Sequence, residues 1–167
     1  GSIITKFAEP FSEGVRSAAA GVTRATLRLY SNIVERLPPT PAKFHYIFNL
    51  RDLGRVYEGL CLATPETVTA SAQFVRLWCN EVTRVFMDRL VSPEDVDVVS
   101  SLLAEVTRAS FGADADVALA TPRVFGDFGS AVTRIVEGRE DLRLYEDLGG
   151  YDAVADTLNR VLVEYNE

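Results

Sequence analysis

The chain has 167 residues, of which 47% are hydrophobic, and its 17 basic and 24 acidic side chains leave a net charge of −7. That length suits one domain with short flanks, and the apolar share is enough for a core. The acidic balance argues against nonspecific binding to nucleic acid or to anionic membrane, both of which call for basic patches.

From Ser12 to Leu37, apolar residues recur with helical spacing at Val15, Ala18, Ala19, Val22, Ala25, Leu29, Ile33, Val34 and Leu37, so the pattern predicts one long helix. Ser12 reads as its N-cap and Pro38-Pro39 as its stop. Residues 39 to 48 read as a connector, with Tyr46-Ile47-Phe48 a weak strand signal. Asn49 then reads as an N-cap with Asp52 at the third helical position. The short helix that follows is expected to turn Leu50, Leu53, Val56, Tyr57 and Leu60 inward and to end near Thr64-Pro65. A further helix is expected from Glu66 to Val91, with the stripe Val68, Ala72, Val75, Trp78, Cys79, Val82, Val85, Phe86 and Leu90.

Ser92-Pro93-Glu94-Asp95 combines a capping serine, a proline at the first helical position and acids in the first turn. It predicts a helix to about Ala109, with Val96, Val99, Leu103 and Val106 inside. Residues 111 to 146 are broken by glycine, proline and aspartate. Short helices are expected there around Ala115–Leu119 and Phe128–Ile135, with a weak strand signal at Leu142–Tyr145. Gly149-Gly150 reads as a hinge or a cap. Asp152 to Tyr165 reads as a last amphipathic helix with Val154, Leu158, Val161, Leu162 and Tyr165 on its apolar face. The class expected is all-α, with a long N-terminal helix and an irregular second half.

Catalytic patterns are sparse. A P-loop requires Gly-x-x-x-x-Gly-Lys-Ser/Thr to hold phosphates, and no stretch matches. His45 is the one histidine, so a serine or cysteine nucleophile has few bases to draw on, and a local packing role in the connector is the reading adopted. Glu94 with Asp95, and Asp114 with Asp116, read as caps and solvated charge. Cys61 and Cys79 lack the partners of a zinc site and read as small core side chains in a reducing compartment. Arg76, Glu81, Arg84, Asp88 and Arg89 read as a solvated helix face of ion pairs. No apolar run is long enough to span a bilayer, and no stretch reads as a signal peptide.

Arg51 stands apart. It falls in the first turn of a helix, where the dipole disfavours a cation and favours an anion. Two readings stay open: a surface arginine paired with a neighbouring acid, or a cation waiting for a bound anion.

Two long motifs carry a family resemblance. Pro39-Thr40-Pro41-Ala42-Lys43-Phe44-His45-Tyr46-Ile47-Phe48-Asn49-Leu50-Arg51-Asp52 resembles a segment at the end of the third AAA+ module of dynein heavy chains. The run Leu77-Trp78-Cys79-Asn80-Glu81-Val82-Thr83-Arg84-Val85-Phe86-Met87-Asp88-Arg89-Leu90 resembles a later helix of that family, with Asn80 where the family usually has histidine. Tyr145-Glu146-Asp147 and Leu162-Val163-Glu164-Tyr165-Asn166 resemble its approach to the fourth module. Asn-Leu-Arg-Asp is more similar to axonemal dyneins than to the cytoplasmic form, which tends toward Ser-Pro-Arg-Glu at this place.

The resemblance implies a helical AAA+ lid, non-catalytic by itself, with Arg51 as the sensor-2 arginine that reaches ATP or ADP with Mg²⁺ in the parent module. It implies neighbouring AAA+ subdomains as direct partners. Microtubules and dynein light and intermediate chains would be engaged through the parent, in a cilium or flagellum axoneme. The chain then divides into residues 1–2 (a cloning remnant), 3–38 (a helix leading in from the large subdomain), 39–148 (the lid) and 149–167 (a helix leading toward the next module), all within a larger protein. The competing reading is an independent helical scaffold that binds a partner protein through an apolar groove. P-loops upstream and downstream in the parent reading frame would separate the two.

Overall fold

The computed structural model describes residues 2–131, 133, 137–138 and 143–166. Its elements in chain order are α1 (Ser2–Phe7), α2 (Glu13–Arg36), α3 (Leu50–Leu60), α4 (Ser71–Val82), a π-helical turn (Thr83–Met87), α5 (Pro93–Phe111), a 3₁₀ turn (Gly112–Asp114), α6 (Ala115–Leu119), β1 (Phe125–Gly126), β2 (Glu146–Asp147) and α7 (Tyr151–Asn166). The all-α expectation holds, apart from a two-residue antiparallel ribbon that pairs Phe125 with Asp147 and Gly126 with Glu146.

The long helix forms as its spacing demands. Ser12 caps α2 by accepting the Val15 amide, and the buried residues Val15, Ala18, Ala19, Val22, Ala25, Thr26, Leu29 and Ile33 recur every three or four positions. The small side chains among them let α4 and α5 pack close against α2. Gly21 serves the same purpose, since a Cβ there would stand 3.2 Å from the Phe111 ring. Trp78 is fully buried and donates its indole N–H to Thr26 Oγ1 at 2.9 Å, while Thr26 donates to the Val22 carbonyl at 2.7 Å. The one polar group of this large side chain is thus satisfied inside the core.

Several expectations need correction. The helix expected from Glu66 starts at Ser71, because Gln73 Oε1 accepts the Thr69 and Ala70 amides and fixes the start there. Residues 64–67 instead close a turn on the Thr64 and Thr67 hydroxyls. At its far end α4 widens into the π-turn, where Thr83 Oγ1 donates back to the Cys79 carbonyl at 2.9 Å. The helix before it stops at Leu60 and not near Thr64-Pro65. Leu50, expected inward, is 75% exposed, and Val34 also faces outward.

Cys61, expected in the core, is exposed as the C-cap of α3, whereas Cys79 is buried and its thiol is pushed up to about 11 by desolvation. Tyr46-Ile47-Phe48 is not a strand: Tyr46 and Phe48 anchor a connector to the core by their rings. The expected helical piece Phe128–Ile135 and the strand signal at Leu142 fall partly outside the described residues.

The irregular second half is held by Arg76 of α4. Its guanidinium donates to Asp147 of β2 and to the carbonyls of Val117, Ala120 and Pro122. The Leu148 amide donates to the Val124 carbonyl at 2.8 Å and closes the ribbon. The last helix, α7, buries none of its side chains, so Leu158, Leu162 and Tyr165 are exposed.

Candidate functional site around the start of α3

Asn49 takes an extended conformation and caps α3. Its Oδ1 accepts the Arg51 amide at 2.8 Å, and Asp52 Oδ2 accepts the Asn49 amide at 2.9 Å. This reciprocal box is the one the sequence predicts. Asp52 has a second task. It is 2% exposed, and Arg89 grips it with Nη2 on Oδ1 at 2.7 Å and Nη1 on Oδ2 at 3.4 Å. Arg89 also donates to the Val85 carbonyl at 3.2 Å and lies 5.4 Å from the centre of the Phe48 ring. Tyr30 of α2 donates to the Phe48 carbonyl at 3.3 Å. The first turn of α3 is therefore tied to α2, to the connector and to the residues just after the π-turn.

Arg51 projects from this rigid turn. Its side chain is exposed, and among the described residues it has no ion-pair or hydrogen-bond partner. The reading of Arg51 as one half of a surface ion pair is thus not met among those residues. A guanidinium left open beside a helix N-terminus is suited to an oxyanion, which both its charge and the helix dipole attract. Arg55, one turn further along α3, is also exposed and stands 3.7 Å from Asp52.

Two neighbouring arrangements escaped the sequence reading. Asp95 is buried and is not solvated charge. Lys43 Nζ donates to its Oδ2, and so does the Tyr46 hydroxyl at 2.7 Å, while that hydroxyl accepts the Val91 amide at 3.1 Å. The hydrogen bond from Lys43, and then the one from Tyr46, holds the Asp95 carboxyl below the usual carboxylate range.

Glu81 is fully buried, not part of a solvated face. Arg84 donates to its Oε2 from Nε at 3.0 Å and Nη2 at 2.7 Å. Asn80 and Tyr145 donate to its Oε1 at 3.1 and 2.8 Å. Gly59 lies against it, and a Cβ there would sit 2.0 Å from Oε2. Helical spacing alone cannot distinguish such a buried network from surface pairs. The only sequence hint was a glycine inside α3. His45 stacks edge-on to Phe44 and Tyr46 at 5.6 and 4.9 Å between ring centres, the local packing role expected of it. Among the described residues no group of three His, Cys, Asp or Glu side chains could hold a metal ion.

The capped α3 is set on a bundle of helices, a fold consistent with a helical AAA+ lid. The family profile described as "AAA+ lid domain" matches residues 22–121, and the chain belongs to that family. Within it, the chain is similar to dynein heavy chains. It is 44% identical to human dynein axonemal heavy chain 10 over 166 residues, 99% of this chain and 4% of that protein. It is 42% identical to the Chlamydomonas reinhardtii dynein-1-alpha heavy chain of the flagellar inner arm I1 complex over 145 residues, 86% of this chain and 3% of that protein. Human dynein axonemal heavy chain 6 is 34% identical over 99% of this chain, which covers 4% of its length. The chain thus spans about 4% of the length of the relatives it matches.

Proposed function

We propose that this chain is the lid of the third AAA+ module of an axonemal dynein heavy chain and that Arg51 senses nucleotide for it. The observation that carries the reading is the open Arg51 guanidinium on a first turn that is otherwise fully tied down. In the parent, the P-loop of the large subdomain would hold ATP or ADP with Mg²⁺, since no stretch of this chain has the P-loop pattern. Arg51 would reach the terminal phosphate from the lid side. Losing that phosphate would release α3, and the Asp52–Arg89 tie would carry the displacement to the residues just after the π-turn.

Neighbouring AAA+ subdomains are then the direct partners. Microtubules and the light and intermediate chains are engaged through the parent, in a cilium or flagellum. The relatives named as axonemal or flagellar support that location. Among the described residues no helix is long and apolar enough to cross a membrane.

Calorimetric titration with ATP tests the division of labour. This chain alone should show no tight binding, and the module with its large subdomain should bind. Tight binding by this chain alone would contradict the claim that it holds half a site.

A further inference from the structure

A second basic feature lies one turn beyond Arg51. A cavity of about 540 Å³ opens where α3 faces the π-turn, and it is lined by His45, Arg55, Arg84, Val85, Asp88 and Arg89. On a chain of net charge −7, three guanidinium groups and the single histidine meet at one hollow. Two of those arginines are already anchored from behind. Arg89 is spent on Asp52, and Arg84 holds Glu81 through Nε and Nη2.

The anchoring leaves donors free. Arg84 Nη1 and the Arg55 guanidinium make no hydrogen bond among the described residues, and Arg55 approaches Asp52 no closer than 3.7 Å. His45 Nε2 is buried and has no hydrogen-bond partner among them. Asp88 at the cavity is exposed and forms no ion pair there. Two of the lining residues, Arg84 and Val85, belong to the π-turn, a rare form of helix that is frequent at functional sites.

We infer that this cavity is an oxyanion site for a phosphate group, distinct from Arg51, with Arg55 and Arg84 as its charged donors and His45 Nε2 as a third contact. The buried Glu81 holds the Arg84 guanidinium in place before any ligand arrives, so that donor loses little side-chain freedom on binding. Planar guanidinium forks match the edges of a phosphate. The volume admits more than a bare phosphate, so a phosphate ester or pyrophosphate fits as well. Asp88 repels such a ligand and keeps the affinity modest.

The test is a titration of this chain with sodium phosphate and with sodium pyrophosphate, against sodium chloride at equal ionic strength. The readout is the ring signals of the one histidine. Both phosphates should move them in a saturable way that chloride does not reproduce. Arg55→Gln should weaken binding by about tenfold or more, the loss of one charged hydrogen bond. Asp88→Asn should tighten it by roughly threefold, as removal of one screened like charge predicts. Arg51→Gln should leave it within about twofold, because Arg51 does not line the cavity and its exposed charge acts on it only through high-dielectric solvent. Arg84 is left intact because its loss would strand the buried Glu81. Unmoved His45 signals, or an unchanged affinity in Arg55→Gln, would overturn the site. An Arg51→Gln loss as large as that of Arg55→Gln would also overturn it, by placing the anion at the α3 start. Failure here leaves the Arg51 reading standing, and the reverse holds too.

Discussion

Arg51 differs from the other arginines around α3 by what does not touch it. Arg89 and Arg84 each answer a buried carboxylate, and removing either would leave a charge uncompensated in the core. Arg51 has no such duty among the described residues, so replacing it should spare the fold. Asp95 offers a check on the buried ion pairs. Its folded carboxyl titrates below the unfolded value of about 3.9. Its stabilising contribution is therefore present above about pH 4 and is lost as pH falls through the lower folded value. Lys43 is raised by the same hydrogen bond, so its share holds below an unfolded value of about 10.4 and is lost as pH rises through the folded one. Urea melts across acidic pH should show a shallower acid limb for Asp95→Asn than for the unaltered chain. An acid limb of unchanged slope would mean that other carboxylates carry the effect.

At the level of elements, the capped starts were legible because they are local. Ser12, Asn49 and Ser92 each answer an amide within three residues, and the sequence carries that spacing directly. Non-local ties were not legible. Arg76, read as a solvated charge, is the pin of the second half, and its partners lie 41 to 71 residues away. No periodicity encodes such a contact. The late start of α4 was hidden for a related reason: the buried Val68 keeps an apolar spacing even though its backbone is in a loop. Arg76→Ala should loosen the ribbon without melting α4. Hydrogen exchange should quicken at the Leu148 amide and stay slow along Phe74 to Val82. Equal acceleration in both segments would show that Arg76 supports the bundle as a whole.

For the whole molecule, the helical class and the capped start of α3 were readable before any coordinates, because one rests on apolar spacing and the other on a local motif. The buried Glu81 network and the arginine-lined cavity were not, since both depend on how α3 meets the end of α4. On the proposed reading the lid is half a site, and the phosphate-holding loop would be supplied by the large subdomain of the parent. The account stands most directly on Arg51. The decisive measurement is the ATP affinity of the third module in the parent heavy chain, with Arg51→Ala and Arg51→Lys compared and the other nucleotide sites held constant. Loss of a charged hydrogen bond to phosphate predicts weakening by about tenfold or more for alanine, with partial recovery for lysine. Unchanged affinity and an unchanged response to nucleotide in both variants would contradict it.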